Sequence, residues 1–227
     1  MHTNDLTSGP IARPLATIAL PLLIGSILQQ LYNTIDAFII GRYVGQTAFA
    51  AIGVAGTVMN LFIFILSGCC TGISIVLAQL YGRKDDTGFR NAGFLSVTTG
   101  SIFTICLSGL SILIQPFLLK WMQTPPDVAQ FARIYLNIIF GGLICTFLYN
   151  YCAATLRAVG NTQAALFILA GAMLGNLVLD YLFVAIFRWG IAGAAWATII
   201  AQFLAAFTCF LYMRSKLNNL LFGKADF

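Results

Sequence analysis

Long apolar runs separated by short polar breaks organise this chain. Stretches 15–40, 47–80, 92–119, 129–156, 163–187 and 191–213 are dominated by Leu, Ile, Val, Phe, Ala and Gly. The breaks between them, GRYVGQT, YGRKDDTGFR, MQTPPDV, RAVGNTQ and RWG, are polar or turn-forming. About 20 apolar residues at 1.5 Å rise cross a bilayer core of roughly 30 Å, so each run is long enough to span one. All six are expected to be helical, because lipid offers no partner for an open backbone amide. The expected fold is therefore an all-α integral membrane bundle of six transmembrane helices. Residues 1–14 form a tail before it, and residues 214–227 follow it.

Composition agrees: 59% of residues are hydrophobic and only 8% are charged, with a mean hydropathy of +0.90. The polar start MHTNDLTSGPIARP and the long apolar run behind it do not fit a cleaved signal peptide, so the first span is expected to remain. Six cysteines (Cys69, Cys70, Cys106, Cys145, Cys152, Cys209) all fall in apolar spans without metal-site or disulfide-framework spacing, and are read as packing residues. Enzymatic chemistry finds little footing. Glu is absent, His2 in the tail is the only histidine, and no phosphate loop or metal-ligand spacing occurs. No cofactor and no nucleic-acid partner are expected, since the net charge of +5 is spread over span ends rather than gathered in a patch.

The basic residues set an orientation. With the N-terminus cytoplasmic, Arg13, Arg83, Lys84, Arg90, Arg157, Arg214, Lys216 and Lys224 lie inside, and only Arg42, Lys120, Arg133 and Arg188 lie outside. Eight against four places both termini in the cytoplasm.

Two carboxylates interrupt the apolar runs. Asp36 lies six residues before Arg42 and Asp180 eight before Arg188, on spans that run outward. Tyr135 and Thr198 sit on inward-running spans, so that all four fall roughly 9–12 Å below the outer surface at 1.5 Å per residue. Helical phase adds neighbours. Ser26, Gln29, Asn33 and Asp36 share one face of the first span, Asn176 and Asp180 one face of the fifth, and Ala194, Thr198 and Gln202 one face of the sixth. Thr57, Asn60, Ser67, Thr71 and Ser74 form a similar stripe on the second. These stripes are expected to line a polar interior.

A charged side chain near the bilayer centre costs about 2.5–3.5 kcal/mol on insertion scales, which makes an intramembrane Asp a functional candidate. A pair at one depth can hold and release a proton; with Asn176 and Thr198 adding neutral oxygens it can alternatively hold Na⁺. The plainer alternatives are a protonated Asp hydrogen-bonded to a neighbouring helix, or pairing with Arg42 or Arg188. Gly41/Gly45, Gly68/Gly72 and Gly171/Gly175 are read as close helix packing. Pro21 sits mid-span, where it removes one backbone hydrogen bond and can kink or hinge the first helix.

Several separated motifs resemble the multidrug and toxic compound extrusion (MATE) transporters of the bacterial branch. They are PLLIGSILQQLYNTIDAFIIGRYVG, AQLYGRKD, ATLRAVGNTQ, GNLVLDYLFV and GIAGAAWATIIAQ, in that order and over nearly the whole chain. The resemblance implies a secondary active antiporter of the bacterial inner membrane, in which H⁺ or Na⁺ entry drives export of amphipathic, often cationic drug-like molecules. It implies that Asp36 and Asp180 are coupling carboxylates, that Asn176 and Thr198 are their oxygen-bearing partners, that Ala194 lends a backbone carbonyl, that Tyr135 belongs to the same site and that Pro21 is a hinge. Gln29, Asn33 and Gln202 then line the cavity. Family members have two six-helix lobes and this chain supplies one, equivalent to the N-terminal lobe. LNNLLFGKADF is similar to the start of an inter-lobe linker, so truncation is the favoured expectation and a parallel homodimer the other route to two lobes. A flippase for lipid-linked oligosaccharides and a non-transporting membrane scaffold are the alternative functions.

Overall fold

A computed structural model describes the backbone of residues 12–216 and the side chains of residues 19, 20 and 23–216. It contains α1 (Ala12–Tyr43), α2 (Gln46–Gly82), α3 (Asp86–Trp121), α4 (Pro126–Gly141), α5 (Leu143–Ala158), α6 (Thr162–Asp180) and α7 (Gly190–Lys216). A π-helical segment, Tyr181–Ile186, extends α6. No strand occurs among the described residues. Most of the expected tail and the expected linker from residue 217 onward lie outside them, as does the side chain of Pro21, which falls within α1.

Among the described residues, four helices are long and apolar enough to cross a membrane by themselves: α2, α3, α6 with its π extension, and α7. The fifth is a bent pair. The run expected as one span at 129–156 is two helices, α4 and α5, that meet at Gly142 with a 52° bend. Ile199 of α7 sits inside the elbow, where a Cβ on Gly142 would lie 2.5 Å from its Cδ1. A freed carbonyl at the elbow also finds a partner, since Ser108 of α3 donates its hydroxyl to Phe140 O at 2.6 Å. Periodicity alone misses this break because both halves share the same apolar rhythm. The third span also starts earlier than expected, at Asp86, where Asp85 caps the helix by accepting from Gly88 N at 2.8 Å.

The sharp reversals follow from local chemistry. Lys84, Gln123 and Gly160, with φ of 56°, 52° and 78°, adopt the left-handed conformation after α2, α3 and α5. In each turn the next amide reaches back five residues: Asp85 N to Leu80 O, Thr124 N to Leu119 O and Asn161 N to Leu156 O. These Schellman closures satisfy helix-end carbonyls within two or three residues, so consecutive helices pack antiparallel.

Buried apolar residues form two clusters stacked along the bundle. One gathers Ile40, Ala55, Phe62, Leu136, Phe140 and Ile191; the other gathers Leu77, Phe89, Phe147, Leu156 and Cys209. Along α7, Ala194 and Ala195 belong to the first and Ala205 and Ala206 to the second. Thr198 and Gln202 fall between. Large hydrophobics such as Phe64, Phe94, Leu113, Phe117 and Phe167 are exposed, as an exterior facing lipid requires.

Two packing expectations hold only in part, with Gly41 closely packed against Phe49. Gly68, Gly72, Gly171 and Gly175 have no described atom within 4 Å of a built Cβ, so these small-residue pairs do not mediate close helix approach within the bundle. Of the cysteines, Cys70, Cys152 and Cys209 are buried, but Cys69 and Cys106 are exposed.

Candidate functional site

The polar residues between the two clusters open onto a cavity of about 310 Å³. From α1 it takes Gln29, Tyr32, Asn33 and Asp36; α2 adds Thr57 and Asn60, α4 adds Tyr135, and α7 adds Thr198 and Gln202. The heptad-like spacing on α1 explains its share, since residues three and four apart stack on one face. Asp36 is 6% exposed at the cavity wall, whereas Asp180 is fully buried at 0%. The two carboxyl groups interact directly, and both lie near Tyr32 and Tyr135.

These acids are neighbours without being satisfied. Apart from the contact between the two carboxyl groups, which is a hydrogen bond only when one of them carries a proton, neither oxygen of Asp180, nor Oδ1 of Asp36, nor either polar atom of Asn176 has a hydrogen-bond partner among the described residues. Buried polar groups are ordinarily paired, and leaving one unpaired costs about 1–3 kcal/mol. A cluster of such atoms is a strained arrangement that a proton or a hard cation would relieve. All the orphaned acceptors are oxygens, the donor type that H⁺ and Na⁺ both accept.

The remaining expected residues are placed as follows. Asn176 is buried, one turn before Asp180 on α6, and lines a second cavity of about 40 Å³ beside Tyr32, Thr198 and Gln202. Ala194 is fully buried, and its carbonyl accepts the Thr198 hydroxyl at 3.0 Å. That carbonyl also accepts the Thr198 amide within α7, so the hydroxyl occupies its second lone pair. Tyr135 is 4% exposed at the cavity wall. The α2 stripe divides: Thr57 and Asn60 face the cavity, Ser74 donates to Ala154 O at 3.1 Å, and Ser67 and Thr71 are exposed.

Sequence reasoning missed three features. Tyr32 lines both cavities, and its spacing of four from Asp36 was a legible signal. The π-helical segment begins directly after Asp180, where Phe187 N reaches back five residues to Leu182 O at 2.9 Å. Such wide turns occur frequently at functional sites. Gln115 of α3, 2% exposed, donates to Asn137 Oδ1 of α4 and ties the outer parts of those helices together.

An all-α bundle of helices long and apolar enough to cross a membrane, packed around a polar cavity, is the fold of one lobe of a MATE transporter. Comparison with known proteins agrees: the MatE family profile matches residues 21–182, and the chain belongs to that family. It is 32% identical over 219 residues to the probable multidrug resistance protein YpnP of Bacillus subtilis (strain 168), covering 93% of this chain and 47% of that protein. Among solved structures it is similar to MATE in the bent conformation (TM-score 0.88, 22% identity, 100% of this chain and 51% of the other). It is equally similar to the outward-facing conformation of a multidrug resistance MATE family transporter (TM-score 0.88, 22% identity, 97% and 49%). The chain thus spans about half the length of the relatives it matches.

Proposed function

We propose that this chain is the N-terminal, ion-coupling lobe of a cation-driven multidrug exporter in a bacterial inner membrane. The observation that carries this reading is the buried pair Asp36 and Asp180 with its unpartnered oxygens beside a polar cavity. When the cavity faces outside, the pair takes up H⁺ or Na⁺, with Asn176, Thr198 and the Ala194 carbonyl supplying neutral oxygens. Reorientation to the inside releases the ion, and α1 is the element that moves, bending at Pro21. Between Leu23 and Tyr43 few α1 side chains are buried, which leaves the helix free to shift. Amphipathic, often cationic drug-like substrates are exchanged along a path completed by a second six-helix lobe, in the same polypeptide or in a parallel partner.

The energetics are sufficient. One charge moving inward through 100 mV releases about 2.3 kcal/mol, while a tenfold gradient of a neutral solute costs about 1.4 kcal/mol. No Lys or Arg lines the 310 Å³ cavity, which disfavours a pyrophosphate-bearing lipid-linked sugar as cargo. The test is ethidium efflux from cells carrying the complete two-lobe protein. Asp36→Asn and Asp180→Asn should each abolish it, and efflux at the unmodified rate in either variant refutes the coupling role.

A further inference from the structure

Polar lining does not stop at the carboxylate site. The 310 Å³ cavity shares Gln29, Tyr32, Thr198 and Gln202 with the 40 Å³ cavity behind it. That small cavity shares Gln29, Tyr149 and Leu169 with a third of about 130 Å³ between α1, α5 and α6. Gln29 therefore borders all three. The third cavity is also lined by Ser26, Thr162 and Arg157, and Arg157 lies in the last turn of α5, beside the Gly160–Asn161 reversal at the Lys- and Arg-rich end of the bundle.

This series accounts for a feature of α1 that the ion site leaves unexplained. Ser26 is ten residues before Asp36, about 15 Å away at helical rise, yet it continues the same polar face. A helix serving only the carboxylates could turn apolar below Gln29. Water fits along the series: the spaces of about 40 and 130 Å³ both exceed the roughly 10–15 Å³ that one molecule needs. Tyr149, 8% exposed, stands between the second and third spaces.

We propose that these three cavities form a proton exit running along the α1, α5 and α6 side of the lobe, from the Asp36–Asp180 pair to the Arg157 end. The proposal rests on the coupling role given above and names its ion as H⁺. A proton leaves the carboxyl pair, which becomes anionic, and passes through ordered water held by Gln29 and Tyr149; only O–H bonds break and form, and no electrons are exchanged. A hydrated Na⁺ does not suit this route. The middle space of about 40 Å³ is too small for Na⁺ with its hydration shell, whereas a proton passes it along hydrogen-bonded water.

The experiment uses the complete two-lobe protein in proteoliposomes, with a pH-sensitive dye inside and ethidium as the driving solute. Ala172 lines both the small cavity and the apolar space between α6 and α7, and Leu there adds three carbons; Gly171, its neighbour, lines the apolar space and not the small cavity. Ala172→Leu should slow ethidium-driven proton flux about tenfold or more while Gly171→Leu stays within about twofold. Gln29→Leu should slow it similarly, with Gln29→Ser restoring most of the rate; this second pair decides the matter if Ala172→Leu does not fold. Ethidium flux in the unmodified protein should be independent of Na⁺ at fixed pH. Unmodified proton flux in both Ala172→Leu and Gln29→Leu overturns the exit path, as does Na⁺-driven exchange in the unmodified protein. If those variants are unaffected but Asp180→Asn abolishes flux, the coupling site stands and only the path falls; flux insensitive to Asp180→Asn removes both.

Discussion

Replacing Asp180 by Leu should make the protein more stable and inactive. Leu has the same heavy-atom branching as Asp, with two methyl groups in place of two oxygens, so the change is close to isosteric. The Asp180 side chain is 0% exposed, and apart from its contact with the Asp36 carboxyl neither of its oxygens has a partner among the described residues. Relief of one buried unsatisfied polar group is worth about 1–3 kcal/mol. Overpacking is limited because no atom is added, although each methyl is slightly larger than the oxygen it replaces; a deduction of about 1 kcal/mol covers that. The net expectation is a gain of about 0–2 kcal/mol, or up to about 8 °C in Tm at 2–4 °C per kcal/mol for a chain of this size. Asp180→Asn keeps two buried polar atoms in the same place and should gain little. The measurement is thermal unfolding of the purified protein in nanodiscs, paired with ethidium efflux. A Tm for Asp180→Leu well below both the parent and Asp180→Asn would refute the reasoning, because it would mean that the carboxyl is satisfied and contributes to the fold. Such a pattern, stability gained as activity is lost, is what a strained functional group predicts.

Two further outcomes follow from the packing. Gly142→Ala places a methyl 2.5 Å from Ile199 Cδ1 at the α4–α5 elbow, so it should destabilise by about 1–3 kcal/mol in thermal unfolding, with a companion Ile199→Val recovering part of the loss as a non-additive double mutant. Asn161 both caps α6, accepting from Ala164 N at 3.3 Å, and donates to Tyr212 Oη at 2.9 Å. Asn161→Ala should therefore cost about 1.5–3 kcal/mol, and Tyr212→Phe about 0.5–1.5 kcal/mol, in the same measurement.

The all-helical character, membrane residence and the identity of the interior polar residues were all written in the order of residues. Apolar runs of this length have one way to satisfy their backbones in lipid, and a polar stripe at three- and four-residue spacing must share a face whatever the neighbours are. Asp36 and Asp180 could be singled out for the same reason: their burial is costly in any membrane fold. Local turn chemistry was readable at Gly160, but less so at Lys84 and Gln123, which take the same left-handed conformation without being glycine.

Other features depended on contacts between distant segments. The α4–α5 bend forms because Ile199 occupies the elbow and Ser108 satisfies a released carbonyl, and both residues belong to other helices. Asp180 lies deeper than Asp36, and Tyr32 joins the site, because of how α1 rests against α6 and α7. Gly171 and Gly175 could have packed closely against a helix, yet they face open space. Spacing along one chain sets which residues share a face of a helix; which other helix meets that face, and how near, is set by the simultaneous packing of all of them.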